Sequence, residues 1–383
     1  MIRPSKRLDQ VKEYYFSAKL KEVKQLISEG KPIIQMGIGS PDLPPHPDII
    51  KALQRTSQAD HAHAYQPYHG SAELREAMAD HYLEHYAVKL SPLEILPLMG
   101  SKEGIMHISM AFLNQGDQVL VPDPGYPTYA AVAKLVQAEP ISYNLEESND
   151  WFPDFTALEA MDLSKVKIMW TNYPHMPTGA LGSKDLFSNL VAFGKKHDIL
   201  IVHDNPYSLI LNHQPISIFA IEGAKEVALE LNSLSKSYNI PGWRVGMVTG
   251  REDFLKSILQ VKSNMDSGMF LGVQAGAIAA LKLKKDWLED LNRTYTTRRK
   301  LIWQLVETLG LTCAKDTAGM FVWAKLPDTM DSITYADYLL YDKEIFITPG
   351  SIFGSKGQQY IRFSLCVKEA LIHEAIKRIN NTI

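Results

Sequence analysis

The chain has 383 residues, 40 Lys+Arg against 43 Asp+Glu, 45% hydrophobic residues and 22% charged residues. Those proportions exclude a disordered, collagen-like or coiled-coil chain, and the length suits two domains, or one large α/β domain with a smaller one. A formal net charge of -3 gives no bulk signal for nucleic acid or a membrane surface, and two cysteines outside any Cys/His cluster exclude a disulfide framework and a structural zinc site.

The opening MIRPSKRLDQ has no apolar core behind its basic residues, and no stretch approaches the ~18 uninterrupted apolar residues of a membrane helix. A soluble, cytoplasmic protein is expected. Phe16, Leu20, Val23 and Ile27 fall at helical spacing, with Gly30 as a stop, and predict an amphipathic helix over 16–27. Pro and Gly crowd into 37–47, GIGSPDLPPHP, which must be loop. Ser71 is the expected cap of a helix over 71–86.

The middle of the chain alternates strands and helices. Strands are expected at 118–121, 166–170, 199–202, 227–231 and 245–248, and helices at 102–114, 129–136 and 184–196. Short buried strands with helical crossovers predict a mostly parallel sheet in an α/β fold. Ligand sites in such sheets form beyond the carboxyl ends of the strands. From about 273 to 310 the chain is expected to be helical and charged, with KLKKDWLEDLNRTYTTRRK as a solvated face. FVWAKL, EIFITP and YIRFSL read as three strands and 367–380 as a closing helix, a small α+β domain joined by the N-terminal segment.

Several residues just after strands could carry chemistry. Lys236 follows the apolar run VALELNSL in Ser233-Leu234-Ser235-Lys236; alone, such a lysine reads as a solvated side chain. Eight residues on, Arg244 sits in a glycine-rich turn. Asp204 ends the run ILIVHD, where a carboxylate is costly unless paired, so it is a cap, an ion pair or the counter-ion of a ligand cation. Tyr207 follows by three. Gly100-Ser101-Lys102 opens a helix and reads as an anion site or a plain cap. Asn172 begins a loop punctuated by Pro174, Pro177 and Gly179. Arg362, in YIRFSL, is either a solvated edge residue or a bidentate clamp for a carboxylate.

Taken together, the ordered set Tyr65…Gly70, Gly100-Ser101-Lys102, Tyr126, Asn172-x-Pro174-x-x-Pro177-Thr178-Gly179, Asp204-x-x-Tyr207, Ser233-x-x-Lys236, Arg244 and Arg362 resembles pyridoxal-phosphate aminotransferases of fold type I, class I/II, over nearly the whole chain. GIGSPDLPP, DPGYPTY, SKSYNIPGWRVG and SNMDSGMF resemble the branch holding LL-diaminopimelate and alanine-type aminotransferases.

The resemblance implies a large cofactor-binding domain over 46–284, built on a mostly parallel sheet of the seven-stranded type, and a small domain from 1–45 and 285–383. It implies pyridoxal 5'-phosphate as cofactor, amino acid and 2-oxo acid as substrates, and a homodimer with shared sites. Lys236 would be the lysine that bonds the cofactor and moves the Cα proton. Asp204 would pair with the pyridine nitrogen, Tyr207 would donate to the ring oxygen, and Tyr126 would stack on the ring. Ser101, Lys102, Ser233 and Arg244 would hold the phosphate, with Ser235 a further candidate, and Tyr65 would reach it from the neighbouring subunit, with Ser267 from the same interface. Arg362 and the Gly39 backbone would take the substrate α-carboxylate. Asn172 belongs to the cofactor-binding set.

One position departs from the family pattern. The loop usually reads Asn-Pro-Thr-Gly, with that Asn donating to the ring oxygen; here Met176 stands there, leaving Tyr207 as donor unless His175 or water substitutes. Tyr14, Tyr15, Tyr68 and His69 fall in segments that line the entrance in this branch, and some diaminopimelate enzymes carry an acid near the position of Tyr68. Two other readings share these motifs: a carbon–sulfur β-lyase on the same fold, and a cofactor-binding protein without turnover. A nucleotide-binding Rossmann protein fits poorly, because no GxGxxG follows the first strand.

Overall fold

The computed structural model describes residues 2–11 and 15–380. Tyr14 lies outside them. The chain enters through α1 (Tyr15–Ser28), close to the expected helix, and β1 (Ile34–Gln35). Residues 36–46 are loop, as their prolines and glycines dictate. α2 (Pro47–Ser57) starts on a proline, whose missing N–H costs nothing at a first helical position. α3 (Ala72–Tyr86) begins where expected: Ser71 Oγ accepts the Leu74 N–H at 3.1 Å, satisfying one free amide of the first turn.

The large sheet then assembles from β2 (Ile95–Leu98), β3 (Gln118–Asp123), β4 (Glu139–Asn144), β5 (Val166–Thr171), β6 (Leu200–Asp204), β7 (Ala228–Ser233) and β8 (Gly246–Gly250). Its spatial order is β2-β8-β7-β6-β5-β3-β4. β8 runs antiparallel to both neighbours and every other pairing is parallel. The mostly parallel seven-stranded α/β sheet is therefore as expected. The crossovers carry α4 (Ser101–Phe112), α5 (Thr128–Leu135), the short α6 (Phe155–Glu159), α7 (Lys184–His197) and a single turn, α8 (Leu234–Ser237).

The two strands of this sheet missed in sequence, β2 and β4, are its edges. β2 contains Pro97, which only an edge tolerates, and β4 is half exposed and lacks a clear apolar run. Inner strands alternate between two cores. In β3, Val119 and Val121 pack with Ile105 and Ile108 of α4 on one face; Leu120 joins Met169 and Ile201 on the other. That second face is continuous with Phe321, Val322, Ile361 and Phe363 of the smaller sheet, so one apolar body underlies both.

The region expected as helical over 273–310 is helical, in two pieces. α9 (Glu252–Lys262) precedes α10 (Leu271–Leu281) and α11 (Lys285–Thr308), broken at 282–284. α10 packs on α2 and α3, whereas α11 packs further on, against the closing helix of the chain, and one straight rod cannot reach both. The expectation of a solvated face also fails at Arg298. It is 2% exposed and ion-paired with Asp42 and Glu369, because α11 is covered on that side by the 37–47 loop and the C-terminal segment.

β9 (Thr312–Cys313), β10 (Phe321–Lys325), α12 (Ser332–Asp342), β11 (Ile345–Phe346), β12 (Thr348–Pro349), β13 (Tyr360–Ser364) and α13 (Glu369–Asn380) complete the chain. β12-β13-β10-β9 form an antiparallel sheet, and β11 pairs in parallel with β1. EIFITP is thus divided between two sheets, a break that its unbroken apolar character hides.

Candidate active site

The carboxyl ends of β5, β6 and β7, the start of α4, the 37–44 loop and strands β10 and β13 converge on a cavity of about 400 Å³. Gly39, Ser101, Lys102, Tyr126, Asn172, Met176, Asp204, Tyr207, Ser233, Ser235, Lys236, Arg244 and Arg362 all line it. Tyr65 and Ser267 do not. Tyr65 is 91% exposed on the same molecule, and Tyr15, Tyr68 and His69 are likewise absent from the lining.

Lys236 stands on α8, the turn that ends β7. Ser233 Oγ starts that turn by accepting the Ser235 N–H at 3.2 Å. Lys236 Nζ donates to the Gly39 carbonyl at 2.7 Å, across the cavity mouth. Burial pushes its amine below the usual lysine range, and the charges of Arg362 and Arg244 push the same way. A lysine held in that state has more neutral, nucleophilic amine near neutral pH than a solvated one.

Asp204 ends β6 on the cavity floor, 5% exposed. Tyr129 donates to its Oδ2 at 2.7 Å, whereas the buried Oδ1 accepts from no group among the described residues. Desolvation raises the carboxyl pKa to about 6, and the Tyr129 hydrogen bond opposes that only in part. A half-satisfied buried carboxylate is an acceptor waiting for a charged donor. Tyr129 itself is stacked on Trp170, with centroids 4.9 Å apart. Burial raises the Tyr207 phenol above its ordinary value, so it stays protonated and can donate.

A second group of donors gathers where α4 begins. Gly100 precedes the helix at φ +85°, and a side chain there would lie 2.1 Å from Arg244 Nη2. Only glycine meets both demands. Arg244, itself at φ +57°, donates to the Pro241 carbonyl at 2.8 Å. Ser101 at the start of α4, Ser233, Ser235 and Arg244 line the same cavity, and a helix start with hydroxyls and a guanidinium is chemically suited to an anion.

Arg362 is a buried cation, 4% exposed, rather than a solvated edge residue. β13 is flanked by β10 and β12, which encloses it. Its guanidinium lies over Phe321 at 3.9 Å and Phe353 at 4.7 Å, whose ring faces offset part of its desolvation. Nη2 donates to the Gly37 carbonyl at 3.0 Å, and Nη1 approaches Met176 Sδ at 3.2 Å. Gly39 is required beside it, because a Cβ would come within 2.4 Å of Phe321.

Asn172 engages main chain at both ends of its amide. Nδ2 donates to the Asp204 carbonyl and Oδ1 accepts the Met176 N–H at 2.8 Å, tying the 172–179 loop to the end of β6. His175 does not replace a donor at Met176. It is buried outside the cavity lining, hydrogen-bonded to Thr178 Oγ1 at 2.8 Å, and burial lowers its pKa to about 3.

Sequence reasoning missed Tyr129, Phe321 and Phe353. Tyr129 had a signal: it follows Tyr126 by three residues, one helical turn, in the same DPGYPTY run. The two phenylalanines had none, since only the folded chain brings β10 and the 350–353 turn to Arg362.

A family model described as "Aminotransferase class I and II" matches residues 31–379. The chain is 38% identical over 383 residues to an LL-diaminopimelate aminotransferase of Dehalococcoides mccartyi, covering 99% of both chains. It is 37% identical to one of Aquifex aeolicus, covering 100% of this chain and 99% of that one. Among solved structures, apo-BacF of Bacillus subtilis superposes with a TM-score of 0.96 at 34% identity, covering 100% of this chain and 98% of that chain. An aminotransferase from Staphylococcus aureus gives 0.90 at 31% identity, covering 99% and 98%. The chain belongs to the class I and II aminotransferases, pyridoxal-phosphate-dependent enzymes of fold type I that move an amino group between an amino acid and a 2-oxo acid.

Proposed function

We propose that Lys236, Asp204 and Tyr207 carry out the transfer, that Ser101, Lys102, Tyr126, Asn172, Ser233 and Arg244 complete the cofactor site, and that Arg362 and Gly39 take the substrate carboxylate. The observation that carries this reading is the buried Oδ1 of Asp204, which has no partner among the described residues and belongs to a carboxylate that lines the same cavity as Lys236. That arrangement suits pyridoxal phosphate: a protonated ring nitrogen would satisfy Asp204, and the anion-binding end at α4 suits the phosphate.

The bound cofactor supplies an aldehyde for amines and a ring that stabilises negative charge at Cα. The protein residues do the rest. Asp204 keeps the ring-nitrogen proton in place through its ionised carboxylate. Arg362 orients the substrate through two parallel N–H donors, which presents the Cα–H bond to Lys236. Lys236 takes that proton and returns it one position away, acting as base and then acid. Tyr207, which stays protonated, would donate a hydrogen bond from its hydroxyl to the ring oxygen. The 37–44 loop, Phe321 and Phe353 keep water from this exchange.

We assign Tyr65 to the cavity of a second copy, since it is exposed and does not line its own. The division into 46–284 and 1–45 with 285–383 is proposed on the same footing, supported by the separate hydrogen-bonded sheets. The name carried by relatives such as that of Dehalococcoides mccartyi makes LL-diaminopimelate one candidate substrate. No helix among the described residues is long and apolar enough to cross a membrane.

The test is the visible absorbance of the purified protein with pyridoxal phosphate, followed as single amino acids are added without an acceptor. Conversion to the amine form of the cofactor, with one oxo acid per site, is expected, and Lys236→Ala should abolish it. Continuing ammonia release without conversion would replace this reading with a lyase.

A further inference from the structure

The cavity is chemically divided. Ser101, Lys102, Ser233, Ser235 and Arg244 gather at the α4 end. The wall around Arg362 is hydrocarbon and aromatic: Leu20, Ile38, Met176, Phe321 and Phe353. Phe321, Phe353 and Met176 are at most 5% exposed, and Leu20 and Ile38 pack on the cluster of Val23, Leu340 and Phe346, which fixes them in place.

Among the described residues that line the cavity, Asp204 is the one carboxylate, and Tyr129 holds it on the floor. Tyr65 and Ser267, the residues expected from a neighbouring copy, carry no carboxylate either. A substrate held by Arg362 at its α-carboxylate, with its amine taken up by the cofactor, would have its side chain left to face the apolar wall.

We infer that this site takes an amino acid with an uncharged, apolar side chain, and that it discriminates against side chains ending in an ammonium or a second amino-acid group. The inference rests on the aminotransferase assignment of these residues and refines it. A distal ammonium facing Leu20, Ile38 and Phe353 would shed water and find no carboxylate. The relatives' name points to a substrate carrying both an ammonium and a carboxylate at its far end, and these walls offer neither a fixed acid nor a fixed base for them.

Matched pairs test this on the cofactor-loaded protein. Norleucine and lysine differ by one terminal amine. Norleucine should convert the cofactor absorbance with a second-order rate constant at least about 100-fold above lysine and LL-diaminopimelate, the scale set by an unpaired buried charge. Heptanoate and pimelate, which cannot react, differ by one carboxylate. Calorimetry should show heptanoate binding at least about 10-fold tighter. LL-diaminopimelate matching norleucine, or pimelate matching heptanoate, would overturn the inference. If no amino acid converts the cofactor while heptanoate still binds more tightly than pimelate, the apolar subsite stands and the aminotransferase reading fails.

Discussion

Asp204 gains its character from what surrounds it. Its carboxyl, raised to about 6 by burial, is neutral at low pH and ionised at pH 7.5. The folded, cofactor-free protein is therefore unpenalised below about pH 4, the unfolded value, and increasingly penalised as pH rises through about 6. The shift corresponds to roughly 3 kcal/mol at most. Asp204→Asn should accordingly stabilise the cofactor-free protein at pH 7.5, with the gain vanishing near pH 4, while slowing conversion of the loaded enzyme. Urea denaturation at several pH values reads the first effect, and an Asp204→Asn protein less stable at pH 7.5 would refute it. At Met176, a thioether stands where an amide would donate. Met176→Asn should lower by about one unit the pH at which the bound cofactor's absorbance changes, because hydrogen bonding to an anion favours it. A titration showing no shift, or a rise, would end that idea.

At the scale of elements, the site depends on how the 37–44 loop is held. α11 presents Arg298, whose Nη1 and Nη2 reach the two oxygens of Asp42 at 2.7 and 3.0 Å, while Nε reaches Glu369 at 2.9 Å. The same loop supplies the Gly39 carbonyl to Lys236 and the Gly37 carbonyl to Arg362. Removing one partner of a largely buried pair strands the other, so Arg298→Met should cost about 3 kcal/mol in urea denaturation. Adding Asp42→Asn should recover part of that loss, and a double variant no better than the single would show that packing, not charge, was removed. A smaller effect belongs to α3. Ser71→Ala deletes its cap and should cost about 1 kcal/mol without changing the cofactor spectrum.

At the scale of the whole molecule, two sheets of different kinds share one apolar body with the cavity between them. Arg362 arrives from the small sheet and Asp204 from the large one, so the site exists only once both have formed. Tyr65, exposed on its own chain, is where the proposed sharing of sites between two copies can be tested. Sedimentation of the loaded protein should give the mass of two chains of 43.1 kDa. Tyr65→Phe should weaken cofactor affinity about 10-fold, the effect of one lost hydrogen bond to a charged group, and leave that mass unchanged. A monomer with full cofactor affinity would contradict the shared-site assignment.

The sequence alone determined the parallel sheet, the 36–46 loop, the Ser71 cap and the ordered set of polar residues, because these follow from local rules: periodicity, backbone restriction and side-chain chemistry. The edge strands escaped it, since a half-exposed strand such as β4 lacks an apolar run. The tertiary structure alone decided which charges are buried. Arg298 and Arg362 read as solvated in isolation and prove enclosed. It also supplied Tyr129 to Asp204, Phe321 and Phe353 to Arg362, and the split at 282–284. Burial and contact are properties of segments distant along the chain. They set the desolvation that tunes Asp204 and Lys236, and no single segment contains that information.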